Sequence, residues 1–173
     1  RLIDRIRDAA PDIALSGDFI VGFPDETDQD FEDTMDLIRR VEYGSAFSFK
    51  YSSRPGTPGA TMKNQIAEDV KGARLQVLQG LVSDQQKAFN ASRLGMTFNV
   101  LLERKGRNPG QLVGKSPWLQ AVQLDAPEDL IGSIQAVEIV EIGSNSLFGR
   151  LIGGQDEYAP SQTDAIKEAA FDA

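Results

Sequence analysis

Asp18-Phe19-Ile20-Val21-Gly22-Phe23-Pro24-Asp25-Glu26 ends a mostly apolar run that starts at Ile13. The run has the length of one buried strand, and Pro24-Asp25-Glu26-Thr27 then turns the chain. Thr27 or Asp28 can cap the helix that follows, with the acids of its first turn facing the positive end of the helix. That helix runs to about Val41, and Phe31, Met35, Ile38 and Val41 form its apolar face. A second buried strand is expected over residues 46–51. Strand, helix and strand in this order predict a right-handed βαβ unit in a parallel sheet. In such folds ligands meet the carboxyl ends of the strands, and a glycine there lets a ligand approach the backbone. Phe23 can pack on a flat ring, and Asp18 can accept hydrogen bonds from a ribose or an amine. The same residues equally suit an ordinary buried strand and βα turn, so on their own they leave both readings open.

Ahead of this unit, residues 1–10 carry Leu2, Ile3, Ile6, Ala9 and Ala10 at helical spacing, and Pro11-Asp12 breaks the pattern. This helix opens at an arginine without an N-cap, as expected of a chain that begins inside an element. Behind the unit, residues 52–59 are rich in Pro and Gly and read as a loop. Residues 67–92 read as a long helix with Val70, Leu75, Leu78, Leu81, Val82, Ala88 and Phe89 as its apolar positions. Gly72 and Gly80 weaken it locally, and Gly95 can end it. From Met96 the texture changes to short strands separated by glycine turns, over residues 96–103, 111–114, 118–124, 130–142 and 147–152. Five short strands in so few residues predict a small closed barrel. The expected organisation is α/β plus all-β: residues 1–92, a barrel over 93–153, and an acidic flexible tail over 154–173 with a frayed helix around 164–170. No internal repeat is visible.

Composition narrows the chemistry. The chain has no cysteine and no histidine, which excludes disulfides, thiolate metal sites and imidazole catalysis within it. No metal ligand set and no catalytic residue is expected in this chain. No apolar run approaches the ~20 residues that span a bilayer, and the charged opening is unlike a secretory signal. These features are consistent with a cytoplasmic protein without membrane contact. The net charge of −8 looks wrong for a partner of a polyanion. Its distribution changes that reading: residues 93–153 carry six basic and six acidic side chains, and Arg104, Lys105, Arg107 and Lys115 cluster around one turn.

Three motifs carry a family resemblance. Ser16-Gly-Asp-Phe-Ile-Val-Gly-Phe-Pro-Asp-Glu-Thr27 resembles the strand and loop of radical-SAM methylthiotransferases, whose usual form reads D-x-I-V-G-F-P-G-E-T. Asp25 stands where the family's second loop glycine is usual. Phe47-Ser-Phe-Lys-Tyr-Ser-Ser-Arg-Pro-Gly-Thr-Pro58 resembles the family's Y-S-x-R-P-G-T-P segment. The Arg54-Pro55 pair favours the tRNA-modifying branch, of the MiaB type, over the branch that modifies a ribosomal protein. Arg107-Asn-Pro-Gly-Gln-Leu-Val-Gly-Lys-Ser-Pro-Trp-Leu-Gln120, followed by Ile131-Gly132 and Asn145-Ser-Leu-Phe-Gly149, is similar to a TRAM domain, an OB-like RNA-binding module.

The resemblance implies the C-terminal part of a radical-SAM, partial TIM-like barrel followed by a five-stranded OB-like TRAM barrel. It implies S-adenosylmethionine beside Asp18, Ile20, Val21, Gly22 and Phe23. It also implies two [4Fe–4S] clusters in the full-length enzyme, whose cysteine ligands this chain lacks. The implied reaction adds a methylthio group to C2 of an N6-isopentenyladenosine next to the tRNA anticodon. The partner is then the anticodon stem–loop of tRNA, and the full-length enzyme is expected to be a monomer. Lys50 and Arg54 can present cations to substrate phosphate or cofactor carboxylate. Arg104, Lys105, Arg107 and Lys115 can contact phosphates, and Trp118 can stack on a base or fill the barrel core. A non-catalytic RNA-binding module and a methylthiotransferase acting on a protein are the competing readings.

Overall fold

The computed structural model describes residues 2–153, in two compact units that divide between Ser92 and Arg93. The expected helix over 164–170 lies outside the described residues. In the first unit, α1 (Leu2–Ala9) precedes β1 (Ser16–Val21), α2 (Asp28–Val41) and β2 (Ser45–Lys50). A short α3 (Pro58–Thr61) and the long α4 (Glu68–Ala91) follow. β1 and β2 pair in parallel from Ser16↔Ser45 to Val21↔Lys50, as the strand–helix–strand pattern predicts.

Helix α2 begins with a reciprocal cap. The Thr27 hydroxyl accepts from the Asp30 backbone N–H, and the Asp30 carboxylate accepts from the Thr27 backbone N–H at 2.9 Å. Its far end is closed from two sides. Arg7 donates to the Val41 carbonyl at 2.6 Å, placing a cation at the helix C-terminus. Gln85 of α4 donates to the Ile38 carbonyl at 2.8 Å and accepts from the Tyr43 backbone N–H at 3.1 Å. Val21, Phe31, Met35, Ile38, Leu78 and Val82 form the core between strands and helices.

Several expectations are corrected in this unit. The first strand is six residues, because β2 offers only six partners. Neither strand is buried on both faces. Burial alternates along β1, and Ile20, Phe47 and Phe49 are 59%, 66% and 55% exposed. Helices cover one face of the two-stranded sheet, and the face carrying Asp18, Ile20, Phe47 and Phe49 is open. Val70 of α4 is also exposed, and α3 starts inside the segment read as loop, with Pro58 in its first turn.

The second unit contains β3 (Thr97–Lys105), β4 (Gln111–Lys115), β5 (Ala121–Asp125), β6 (Ile134–Ile142) and β7 (Leu147–Leu151). They close into a barrel of order β3-β4-β5-β7-β6, antiparallel except for the short β5–β7 seam. Val100, Leu102, Leu112, Val122, Leu124, Val137, Ile139 and Leu147 fill it, each at most 3% exposed. Residues 118–120 belong to the turn before β5 rather than to the strand, and residues 128–130 form a single 3-10 turn before β6. A bulge in β3 lies between Leu102 and Arg104.

Barrel closure depends on close backbone approach at Gly114. A Cβ there would stand 2.4 Å from the Leu101 carbonyl oxygen and 2.6 Å from Val100 Cγ1. Gly114→Ala is therefore expected to destabilise the barrel by about 2 kcal/mol, read as a lowered midpoint in urea unfolding followed by the Trp118 fluorescence. An unchanged midpoint would show that β3 and β4 can separate at no cost.

Candidate strand-end site and nucleic-acid interface

At the carboxyl end of β1 the chain leaves the sheet through Gly22, whose φ is +74°. A Cβ at Gly22 would lie 2.3 Å from Lys71 Cγ, so the glycine makes room for the stem of Lys71. The Gly22 N–H donates to Glu26 Oε2 at 2.8 Å, closing the loop on itself. Glu26 Oε1 accepts from Arg74 at 2.6 Å, and Arg74 also donates to the Glu26 carbonyl and, at 2.7 Å, to Asp28 Oδ1. The Arg74 and Glu26 side chains are only 8% and 13% exposed. This is a planar donor that ties the partly desolvated Glu26 of the loop to the exposed Asp28 at the start of α2.

Asp25, where the family's glycine is usual, is in the left-handed region at φ +70°. The glycine-like backbone is therefore kept without the glycine. Asn64 holds it: the Asp25 N–H donates to the Asn64 carbonyl at 3.0 Å, and the Asn64 amide donates to the Asp25 carboxylate.

The residues singled out in the sequence divide by location. Asp18 and Ile20 lie on the open sheet face, opposite Phe47 and Phe49 in the pairing register. Val21 points the other way, into the helix-facing core. Phe23 is half-exposed and packs edge-on against Tyr51, with ring centroids 5.0 Å apart. Lys50 donates to Glu68 at 3.0 Å, and Lys71 donates to the other oxygen of the same carboxylate at 3.0 Å. Hydrogen bonds from Lys71 first, then from Lys50, hold the Glu68 carboxyl below its ordinary range. Arg54 is exposed on the following loop, where its carbonyl accepts from the Thr57 hydroxyl.

Glu26, Asn64, Lys71 and Arg74 escaped the sequence reading. A signal was present for two of them. Lys71, Arg74, Leu78 and Val82 recur at helical spacing along one buried stripe of α4. Two cations on an apolar stripe need partners for their charges.

On the barrel, Arg104 and Lys115 share the outer face of the β3–β4 hairpin, opposite Val113 and Leu101 in the register. Lys105 alternates away from them and forms an ion pair with Glu128 at 2.6 Å. Arg107 is exposed in the turn between the two strands, and its backbone N–H donates to the Gln111 side chain. Trp118 is half-buried, edge-on to Phe98 at 5.1 Å, with the Arg93 guanidinium 4.1 Å from its ring centre. Arg93 thus lies over one face of the Trp118 ring.

A closed five-stranded barrel of order β3-β4-β5-β7-β6 has OB-like architecture, and residues 91–152 match the TRAM domain family. The chain is 60% identical over 158 residues to the tRNA-2-methylthio-N(6)-dimethylallyladenosine synthase of Maricaulis maris, covering 91% of this chain and 35% of that protein. It is 60% identical over 153 residues to the protein of the same name from Agrobacterium fabrum, covering 88% of this chain and 34% of that protein. Over about nine-tenths of its length the chain is thus similar to members of this tRNA methylthiotransferase family. It spans about a third of the length of the curated relatives it matches.

If Arg74 anchors the loop, Arg74→Met strands Glu26 in a partly buried place and should cost about 3 kcal/mol. Arg74→Lys should recover part of that loss. Urea unfolding of the three chains, with hydrogen exchange at the Gly22 amide, checks both the cost and its location. Equal midpoints with an unchanged Gly22 exchange rate would show that the ion pair is dispensable.

Proposed function

We propose that this chain is the C-terminal part of a transferase that adds a methylthio group to C2 of N6-isopentenyladenosine beside the tRNA anticodon. The observation that carries the reading is the 60% identity, over nine-tenths of the chain, to a relative named for that product. The matched TRAM domain and the basic hairpin of the barrel support tRNA as the partner. On this reading the first unit is the closing portion of the catalytic barrel, and the open face of β1 and β2 looks into its interior. The cytoplasm and a monomeric full-length enzyme accompany this reading.

The chain's own residues fit the cofactor in part. The open face offers an apolar strip, Ile20 with Phe49, beside the acceptor Asp18, which suits an adenosine. S-adenosylmethionine, when bound, supplies radical chemistry to the full-length enzyme. Ile20 and Phe23 would pack on its base, and Asp18 would accept from its hydroxyl or amino groups. Glu26 and Arg74 fix the loop at the strand end. Gly22 serves that same packing, since its missing side chain is replaced by Lys71. The clusters do not fit here: the chain has no cysteine, and the described residues contain no group of three or more metal-ligating side chains. Their ligands belong to the rest of the enzyme, and this chain alone is expected to be inactive. After reconstitution with iron and sulfide, the purified chain should show no iron–sulfur absorption band. A band that survives desalting would overturn this division of labour.

Arg104, Arg107 and Lys115 are the proposed phosphate contacts, with Lys105 weaker because Glu128 already balances it. Alanine at any of the first three should weaken tRNA binding and lower the salt slope by about one. Lys105→Ala should change the slope less. Anisotropy titrations across a series of salt concentrations make the comparison, and an unchanged slope for all four variants would remove the hairpin from the interface.

A further inference from the structure

The hairpin joining β4 to β5 turns through Ser116, Pro117, Trp118 and Leu119. Leu119 N–H donates to the Ser116 carbonyl at 2.9 Å, and Ser116 N–H donates to the Gln120 carbonyl at 3.0 Å. The buried Ser116 hydroxyl accepts from the backbone N–H groups of Trp118 and Gln120. One residue after this turn must be left-handed, a place that hairpins of this kind usually give to glycine. Leu119 occupies it, at φ +64°. A leucine is strained there, because its Cβ crowds the following carbonyl.

Burial does not offset that strain. Leu119 is 76% exposed, more than any other large hydrophobic among the described residues. Two other non-glycine residues share its backbone conformation, Asp25 and Glu42. Asp25 is clasped by Asn64, and Glu42 ends α2 with its N–H donating to the Ile38 carbonyl. Each of those has a local structural reason. Leu119 likewise closes its turn through its N–H, but its side chain stays in water, which points to a role for that side chain outside the barrel.

Its surroundings define the partner. Lys115 donates to the Leu119 carbonyl at 3.3 Å, so a cation lies against the tip. Lys115 faces Leu101 in the register, and Leu101 faces Ile134; these two are 40% and 66% exposed. Arg104 shares that outer face. Exposed apolar side chains interspersed with cations are complementary to a nucleotide, which has a flat apolar base and an anionic phosphate. We propose that Leu119 is the base-contacting residue of the barrel, packing against an unstacked base of the bound RNA while Lys115 holds a neighbouring phosphate. This assignment rests on the RNA-binding reading given above and names its apolar contact, for which Trp118 is the packed support.

The test uses this chain and an anticodon stem–loop RNA in anisotropy titrations, with thermal unfolding of each variant. Leu119→Gly should raise the melting temperature of the barrel by about 4 °C, because the strain is relieved. It should also weaken RNA binding about fivefold, with an unchanged salt slope. Leu119→Asn, polar but tolerant of the left-handed region, should lose affinity similarly, and Leu119→Met should keep it. Wild-type affinity in both Leu119→Gly and Leu119→Asn would overturn the proposal while leaving RNA binding in place. An affinity loss that accompanies a lowered melting temperature would overturn it as well, by making the role structural. A dimer in light scattering that disappears with Leu119→Gly would give the tip to a protein partner instead. If the wild-type chain binds no RNA, the RNA-binding reading falls and this assignment falls with it.

Discussion

A buried guanidinium organises the first unit. Arg74 has left water, and the cost of that desolvation is offset only by acceptors placed around it. Glu26 supplies a carboxylate oxygen and its carbonyl, and Asp28 supplies a second carboxylate. The other oxygen of Glu26 takes the N–H of Gly22. The geometry of the strand end therefore follows from one side chain on a helix that comes much later in the sequence. Lys71, one helical turn before Arg74, passes so close to Gly22 that no side chain can stand there. The loop and α4 specify each other at the carboxyl end of β1. A rigid strand end is what a ligand-binding loop in a parallel α/β fold requires.

The elements themselves were legible because their periods are strong. The apolar positions of α2 recur at 31, 35, 38 and 41, and all four are buried. The parallel pairing of β1 and β2 followed from a helix lying between two apolar runs. What the runs concealed was one-sided burial. Ile20, Phe47 and Phe49 are as apolar as Val21, but periodicity records hydrophobicity and not the presence of a covering layer. In the barrel, glycine spacing revealed the strand count, whereas the β5–β7 seam joins segments that no local pattern connects. The site was half legible for the same reason. Cations clustered in sequence were easy to find, and Arg74 was not, because its partners lie 46 and 48 residues away.

Clustering in sequence also overstated the basic patch. Successive side chains of a strand alternate, and the bulge between Leu102 and Arg104 shifts the phase of β3 so that Arg104 rather than Lys105 takes the outer face. Glu128 then balances Lys105, and Glu138 balances Arg150. What the hairpin offers a polyanion is the pair Arg104 and Lys115 on one face, with Arg107 at its turn. That is a small electrostatic footprint on an acidic chain, and it limits the affinity that phosphate contacts alone can supply. Such an interface needs contacts that do not depend on charge.

The left-handed residues show where those contacts are to be sought. A strained residue persists only when something compensates for it. For Asp25 the compensation is Asn64, and for Glu42 it is the closing hydrogen bond of α2. The hairpin tip has its own strong supports in Ser116 and in the packed Trp118, and these fix the backbone without calling for a leucine. Glycine would satisfy the same turn without the steric cost. The side chain at Leu119 is therefore not explained by the stability of the barrel that carries it. A rigid, strained turn that holds one apolar side chain in water beside a lysine is suited to an encounter with a base. It supplies the charge-independent contact that the small basic patch leaves wanting.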